Sequence, residues 1–146
     1  MNTLDFLEMN YSDLESIKDI LIDEFDDFWS YTTLKDEFSS STSKYFVIKK
    51  NNIVLGFCGI KIITDFAEIM NIVIKKDSRG LGLSNFLLEN TISKCKELNL
   101  KSINLDVNVE NTIAINLYKK YNFVKVGIRK KYYNNVSDAI LMTLNL

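Results

Sequence analysis

The sequence predicts an α+β fold in which helices pack on a mixed, mostly antiparallel sheet. Segments with helical and strand-like spacing follow one another in the order β α α β β β α β α β β, giving about seven strands and about four helices. In the middle of the chain, a strand, a loop with two glycines, a helix and another strand form a crossover unit. Such a crossover places its two strands parallel, whereas short turns join the other neighbours. We expect one domain over residues 1–146.

The first quarter of the chain predicts one strand and two helices. Residues 3–9 alternate loosely between apolar and polar side chains and could form the first strand. Ser12, with Glu15 three residues later, matches the capping box at a helix start, so we expect a helix from Asp13 to Glu24. An acidic and aromatic stretch follows, and then a short helix from about Thr33 to Phe38.

Three strands come next, and the short turns between them indicate antiparallel pairing. The predicted strands cover residues 44–50, 53–63 and 68–74. Asn51 and Asn52 suit a hairpin turn between the first two strands, because asparagine tolerates positive φ.

The second half of the chain contains two helices and three strands. The predicted bounds are residues 81–98 for a long helix, 101–108 for a strand, 112–121 for a helix, and 123–133 and 139–144 for two strands around Asn134-Asn135. The apolar stripe of the long helix consists of Phe86, Leu87, Thr91, Ile92, Cys95 and Leu98. Asn111 suits the N-cap of the last helix, and Asn122 suits its left-handed C-terminal end.

Composition and charge argue against several function classes. The chain has no histidine, so the commonest zinc ligand and general base are missing, and we expect no metal site. A net charge of −1 argues against a protein that binds nucleic acid through bulk positive charge. Cys58 and Cys95 have no metal or redox spacing and suit core positions. The first residues show no signal peptide, and no apolar run approaches the ~20 residues that span a bilayer, so we expect a cytoplasmic protein without membrane contact.

The stretch from Asn71 to Glu89 is typical of an anion site. Gly80 and Gly82 lack a Cβ, so the loop backbone can approach a phosphate closely. The following helix presents free N–H groups and its positive dipole end at the same place. The basic side chains nearby are Lys75, Lys76 and Arg79. The same glycines could instead serve an ordinary strand-to-helix turn.

With these motifs the chain resembles the GNAT superfamily of N-acetyltransferases over nearly its whole length. The acetyl-CoA signature of that superfamily is Arg/Gln-x-x-Gly-x-Gly/Ala. Residues 79–84 match it with one departure, Ser84 at the final small position. Serine is small enough to fit there, although it crowds a pyrophosphate more than glycine does.

Further segments resemble the ribosomal-protein-alanine N-acetyltransferases. Residues 105–118 are similar to that family's Leu-Glu-Val-x-x-x-Asn-x-x-Ala-x-x-Leu-Tyr segment, with Asp106 in place of the glutamate. Residues 121–123 stand where the family has Leu-Gly-Phe. The last two strands and Phe28-Trp29-Ser30 match further segments in the same order.

The resemblance implies direct transfer of the acetyl group of acetyl-CoA to a neutral amine. Tyr118 matches the acid that protonates the leaving thiolate. Asp106 matches the glutamate that acts as the general base in the ribosomal-protein family. We favour it over Glu68, which stands where histone-type members of the superfamily have their glutamate. On residue pattern alone, Tyr118 suits a core aromatic position better than a catalytic one, and each carboxylate suits a solvated strand position as well as a catalytic one.

The resemblance also implies which residues bind the two substrates. The expected contacts to acetyl-CoA are Ile72, Val73, Ile74, Arg79, Gly80, Leu81, Gly82, Leu83, Ser84, Asn85 and Asn111. The expected acceptor groove contains Trp29, Tyr31, Tyr132 and Tyr133, although these aromatic side chains could equally serve packing. The backbone of residues 72–74 should pair with the pantetheine arm and stabilise the thioester oxyanion, which requires residues 71–74 and 104–108 to splay apart.

Three functions remain open on the sequence. The resemblance implies acetylation of the N-terminal α-amino group of a protein, such as a ribosomal protein. The acidic stretch of residues 23–27 would instead suit a small cationic amine, such as a polyamine or an aminoglycoside. The substitutions Asp106 and Ser84 would also allow a CoA-binding module without catalysis. We expect a monomer or a weak homodimer.

Overall fold

The computed structural model describes residues 3–133 and 136–146 of the chain. Its strands are β1 Asp5–Glu8, β2 Ser43–Lys50, β3 Ile53–Ile63, β4 Phe66–Ile74, β5 Ser102–Asn108, β6 Val124–Tyr133 and β7 Ser137–Asn145. Its α-helices are α1 Tyr11–Ser16, α2 Tyr31–Phe38, α3 Leu83–Glu97 and α4 Thr112–Lys120. The strands form a seven-stranded sheet in the order β1-β2-β3-β4-β5-β7-β6. Strands β4 and β5 are parallel and the other neighbours are antiparallel, so the predicted α+β fold with a mixed sheet is confirmed.

The first helix differs from the prediction at its start and in its length. The Asn10 side chain accepts from the Asp13 N–H at 2.7 Å, and the Asp13 carboxylate accepts from the Asn10 N–H at 3.0 Å. The predicted N-cap Ser12 is therefore wrong, because this residue already lies inside the helix. The predicted continuous helix over residues 13–24 is also wrong, because a separate π-helical turn, Leu21–Phe25, follows α1.

The turns between the central strands agree with the sequence. Asn51 and Asn52 have φ values of 52° and 64°, which confirms the predicted hairpin turn between β2 and β3. β4 begins two residues before its predicted start, and β3 has the predicted bounds.

Two apolar clusters lie on the two faces of the sheet. Alternate side chains of β2 divide between them, since successive residues of a strand point to opposite faces. The first cluster, which contains Phe46 and Ile48 of β2, also contains the buried apolar residues of α3, namely Leu83, Leu87, Leu88, Ile92 and Cys95. Thr91 of α3 is buried as well. The predicted stripe of α3 was wrong at Leu98, which is exposed, and it omitted Leu88. Cys58 and Cys95 are both buried free thiols, as the core positions predicted.

The parallel strands β4 and β5 are joined over a short stretch. The register pairs Phe66 with Ser102, Ala67 with Ile103 and Glu68 with Asn104. β5 then continues beside β7 as far as Asn108, while the described residues of β4 beyond Glu68 have no partner on β5. The predicted splay between residues 71–74 and 104–108 is therefore confirmed, and it opens a gap in the sheet.

The C-terminal part contains the predicted helix caps. The Asn111 side chain accepts from the Ala114 N–H at 3.1 Å, so Asn111 is the N-cap of α4. Asn122 has a φ of 72°, which confirms the predicted left-handed residue after α4. The predicted turn at Asn134-Asn135 lies outside the described residues. In the described part of the chain, no helix combines the length and the apolar character needed to cross a membrane.

Candidate active site

A cavity opens where β4 and β5 separate. Its volume is about 630 Å³. Residues 69–74 of β4 and 105–108 of β5 form two of its walls, and side chains of α4 form a third. The residues after the π-helical turn border it as well. Because β4 and β5 are not paired across the gap, each of the two strands presents unpaired backbone groups toward the cavity.

The loop between β4 and α3 leaves N–H groups free. After the 3₁₀ turn Lys76–Ser78, residues 79–82 form what we call the glycine loop. Gly80 and Gly82 both have a φ of +79°, a left-handed conformation that glycine adopts without strain. Gly82 is the N-cap residue of α3, and no side chain in the described ranges caps this helix start. The first N–H groups of α3 and its positive dipole end therefore remain available to an anion.

The cations near the glycine loop are partly engaged by the protein. Lys75 Nζ lies 3.4 Å from Glu24 Oε1 and 3.7 Å from Asp77 Oδ2. Arg79 donates its guanidinium N–H groups to two backbone carbonyl oxygens. Lys76 is exposed. Backbone N–H groups therefore contribute more to this anion site than the basic residues of the sequence suggested.

The residues predicted to contact acetyl-CoA divide between the cavity wall and its surroundings. Those on the wall are Ile72, Val73, Ile74, Arg79, Ser84 and Asn111. Those beyond the wall are Gly80, Leu81, Gly82, Leu83 and Asn85. Leu83 is buried in the core, and Asn85 accepts a hydrogen bond from Lys120 Nζ at 2.8 Å. Asn111 borders the cavity and also caps α4, so its side chain position is compatible with both helix capping and a contact to acetyl-CoA.

Tyr118 lies on the wall formed by α4. Its side chain is 6% exposed, and its ring packs against that of Phe123 with 5.6 Å between centroids. Burial raises the pKa of the Tyr118 phenol above its ordinary value of 10. Such a phenol keeps its proton at neutral pH and is therefore available as a proton donor.

The two carboxylates predicted as alternative bases occupy different places. Asp106 borders the cavity, and its Oδ2 lies 3.6 Å from Nη1 of Arg129. Glu68 lies in the joined part of β4, opposite Asn104, and is not among the residues that line the cavity. Of the two carboxylates, Asp106 is therefore the one that can meet a substrate in the cavity.

Of the four aromatic residues predicted for the acceptor groove, Tyr133 borders the cavity. Burial and, to a smaller extent, the negative charge of Asp106 raise the pKa of Tyr133 to about 12. Tyr132 is about half exposed, and its ring and that of Tyr133 meet edge to face with 5.0 Å between centroids. The Arg129 guanidinium lies over the Tyr132 ring, 4.8 Å from its centroid. Tyr132 therefore contacts the cavity residues from outside the wall.

Trp29 and Tyr31 are not among the residues that line the cavity. Trp29 packs against the second apolar cluster, which contains Tyr45 and Val47 of β2 and lies on the face of the sheet that α1 and α2 cover. The Tyr31 hydroxyl donates to the Glu15 carboxylate at 2.5 Å, which holds α2 against α1. The structure thus brings neither residue to the place where the sequence predicted an acceptor contact.

The sequence prediction of the site left out several residues that border the cavity, among them the polar Asp26 and Asn71. Asp26 accepts from the Phe28 N–H at 3.2 Å, and both residues border the cavity. Burial raises the pKa of the Asp26 carboxyl. The acidic stretch carried no periodicity that would distinguish Asp26 from its neighbours.

Asn71 accepts from the Gly59 N–H at 3.1 Å beside a β-bulge in β4, and the sequence alone contains no signal for a bulge.

Comparison with known proteins gives a consistent set of relatives. The model of the acetyltransferase (GNAT) family matches residues 14–123. A Bacillus subtilis (strain 168) protein, named provisionally as a ribosomal protein bS18-alanine N-acetyltransferase, is 34% identical over 140 residues, which cover 94% of this chain and 93% of that protein. The crystal structure of the ribosomal-protein-S18-alanine N-acetyltransferase from Escherichia coli is similar with a TM-score of 0.87 and 28% identity, covering 99% of this chain and 94% of that one. Ard1 from Thermoplasma volcanium has a TM-score of 0.84 and 25% identity, with coverages of 98% and 97%.

Proposed function

The chain belongs to the acetyltransferase (GNAT) family, and from this premise we propose that it acetylates the N-terminal α-amino group of a protein. Acetyl-CoA, which GNAT acetyltransferases use, is the donor. One observation carries the proposal: Tyr118 and Asp106 border the same cavity, beside a strand edge and a glycine loop that both leave backbone N–H groups free.

The residues that would hold acetyl-CoA are those of β4 and the glycine loop. The free N–H groups at the start of α3 suit the pyrophosphate, and Ser84 borders the cavity beside them. The unpaired edge of β4, residues 71–74, suits the amide groups of the pantetheine arm, which can pair with it as an added strand. N–H groups on this edge would polarise the thioester carbonyl.

The proposed reaction assigns a separate role to each ionisable residue. Asp106 accepts a proton from the acceptor ammonium, directly or through one water. The amine nitrogen then bonds to the acetyl carbonyl carbon while the carbon–sulfur bond breaks. Tyr118 donates its phenolic proton to the departing sulfur. The second proton that the nitrogen loses restores the phenol, so the products are the amide, CoA and one proton.

The chemistry of the amine and the relatives both support an N-terminal acceptor. An α-amino group has a pKa of ~8, against ~10.4 for a lysine, so a larger fraction of it is neutral at pH 7. The Bacillus subtilis and Escherichia coli relatives carry names for the acetylation of a ribosomal protein alanine. Phe28 and Tyr133 offer the cavity an aromatic surface that suits the first side chain of a peptide.

A panel of acceptors tests the proposal. Release of CoA from acetyl-CoA should be measured with an Ala-starting peptide derived from a ribosomal protein N-terminus. The same peptide with a blocked α-amino group and an internal lysine serves as the matched control. Spermidine and an aminoglycoside represent the small cationic amines. Turnover of the free peptide alone supports the proposal, and turnover of only the small amines contradicts it.

Binding without turnover would point to a different function. If calorimetry shows that acetyl-CoA binds while no amine of the panel is acetylated, the chain is a CoA-binding module. The Asp106 and Ser84 substitutions were the sequence features that kept this alternative open.

We also place the proposed reaction in the cytoplasm. Both cysteines are buried free thiols, as in proteins of a reducing compartment. A monomer or a weak homodimer suffices for the reaction, because Tyr118 and Asp106 border a cavity within one chain.

A further inference from the structure

Arg79 lies at the junction between the glycine loop and the segment that borders the other side of the cavity. Its Nε–H donates to the carbonyl oxygen of Ile74 at 2.9 Å. Its Nη2–H donates to the carbonyl oxygen of Phe25 at 2.6 Å. Ile74 is the last residue of β4, and Phe25 is the last residue of the π-helical turn. One side chain therefore connects two segments that are far apart in the sequence.

The geometry of these bonds suits a fixed support. A guanidinium is planar and presents its N–H donors as a rigid fork, so two simultaneous bonds define its orientation. Both bonds are charge-assisted, which is the stronger class of hydrogen bond. If the guanidinium turned to a phosphate instead, the Phe25 carbonyl would lose this donor.

A second contact joins the same two segments. Lys75, the residue after β4, places its Nζ 3.4 Å from Oε1 of Glu24, the neighbour of Phe25 in the π-helical turn. The Lys75 side chain is 16% exposed and the Glu24 side chain is 43% exposed, so only the lysine end of this ion pair is shielded from water. The end of β4 and the end of the π-helical turn are thus held together by Arg79 and by Lys75.

The residues immediately after this junction border the cavity. We call residues 26–30 the acceptor segment. Asp26 and Phe28 of this segment line the cavity together with Arg79. Because Phe25 directly precedes Asp26, the bond from Arg79 determines where the acceptor segment begins relative to the glycine loop.

We propose that the Arg79 side chain is a positioning residue that couples the acceptor segment to the glycine loop, while its phosphate contacts are left to the loop backbone. This inference rests on the proposed function, since it names what holds the acceptor side of that site. When the glycine loop is ordered around a CoA pyrophosphate, Arg79 transmits this order to Phe25 and to the acceptor segment. Acceptor binding is therefore stronger once acetyl-CoA is bound.

Substitution of Arg79 separates this role from that of a phosphate ligand. Arg79→Gln and Arg79→Lys both lose the fork, and Arg79→Lys keeps the charge. A positioning role predicts that both variants raise the KM of the acceptor peptide at saturating acetyl-CoA by about tenfold or more, with the Kd of acetyl-CoA within about threefold of wild type. Lys125→Gln removes the same charge from an exposed position of β6 that does not line the cavity, and should leave the acceptor KM within about threefold.

The opposite pattern would overturn the inference. A phosphate ligand predicts that Arg79→Gln weakens acetyl-CoA binding, that Arg79→Lys largely restores it, and that the acceptor KM at saturation stays unchanged. Thermal unfolding of each variant shows whether it remains folded. Glu24→Gln, which weakens the second contact, should raise the acceptor KM in the same direction as Arg79→Gln, though by less, and an unchanged KM would contradict the coupling.

Hydrogen exchange with CoA as the probe tests the coupling without any acceptor. In the wild-type chain, CoA should slow amide exchange in residues 26–30, and in Arg79→Gln this effect should be lost. Equal slowing in both proteins, or none in the wild type, would contradict the coupling. This measurement also separates the two proposals, because the coupling can be detected even if the peptide panel shows no turnover.

Discussion

Burial determines the chemistry of Tyr118. With 6% of its side chain exposed, its phenol has a pKa raised above 10 because the charged phenolate is poorly solvated. The proton is therefore present across the neutral range and is lost only as the pH rises through the raised pKa. A residue pattern places a tyrosine on α4, but it does not show how deeply the ring is covered.

Replacing Tyr118 with phenylalanine removes the phenolic proton and keeps the ring. We expect kcat with the acceptor peptide to fall about 100-fold, the usual size of a general-acid contribution. The Kd of acetyl-CoA, measured by calorimetry, should change by less than about threefold, because the ring still fills its place.

Tyr121→Phe is the matched control for this prediction. It removes a hydroxyl that bonds to Asn85 at 3.3 Å, outside the cavity wall, and should leave kcat nearly unchanged. The raised pKa also predicts that the wild-type kcat shows no alkaline fall below a pH of about 9. A kcat of Tyr118→Phe equal to that of the wild type would remove Tyr118 as the acid.

Replacing each carboxylate with its amide distinguishes the two candidate bases. Asp106→Asn should lower kcat/KM about 100-fold, because the amide cannot accept the proton of the acceptor ammonium. Glu68→Gln should change kcat/KM by less than about threefold, because Glu68 is not among the residues that line the cavity. A larger loss in Glu68→Gln than in Asp106→Asn would reverse the assignment. The rate should be followed by CoA release at a fixed pH.

At the scale of elements, the start of α1 shows how a plausible cap can be displaced. Ser12 and Glu15 have the spacing of a capping box, but Asn10 and Asp13 form it. Oδ1 of Asp13 also lies 2.8 Å from Nζ of Lys49 in β2, so the helix start that Asn10 caps is stabilised by a tertiary ion pair. Local spacing could not distinguish the two starts, because Lys49 is distant in the sequence.

Asn10→Ala should destabilise the protein by about 1 kcal/mol, the usual cost of losing an N-cap. Ser12→Ala should change the free energy of unfolding by less than about 0.5 kcal/mol, since Ser12 is an exposed residue within the helix. Urea unfolding of both variants measures the difference. Equal destabilisation by the two substitutions would argue against the Asn10 cap.

At the scale of the whole molecule, the pair Lys49–Asp13 joins a helix on one face of the sheet to the C-terminal end of β2. The side chains are 14% and 6% exposed, so the two charges depend on each other rather than on water. The pair therefore secures α1, which begins the polypeptide segment leading to the acceptor segment.

Lys49→Met should lower the free energy of unfolding by about 3 kcal/mol, because it leaves the Asp13 carboxylate buried without its counter-charge. Lys50→Met, at the exposed neighbouring position, should change it by less than about 0.5 kcal/mol. Denaturant unfolding at neutral pH measures both values. A loss in Lys49→Met no larger than that in Lys50→Met would show that the pair does not stabilise the fold.

The gap between β4 and β5 is also a property of the whole sheet. β5 follows β7 through Asn108, whereas β4 follows β3, so the two strands separate after Glu68 and Asn104. The resemblance to the GNAT superfamily implied this splay, and the family is now shown by the comparisons. The strand patterns themselves predicted only that β4 and β5 are parallel neighbours.

The sequence by itself determined the order of the elements, the turn at Asn51-Asn52 and the caps at Asn111 and Asn122, because periodicity, turn conformation and capping are local properties. Together with the resemblance, it also determined the family.

Only the tertiary structure decided that Asp106 rather than Glu68 borders the cavity, and that Arg79 binds the carbonyl of Phe25, 54 residues away. It also decided that Asp26 and Phe28, instead of Trp29 and Tyr31, face the cavity. Such features depend on which strands continue to pair and on contacts between distant residues, and neither is encoded in local spacing.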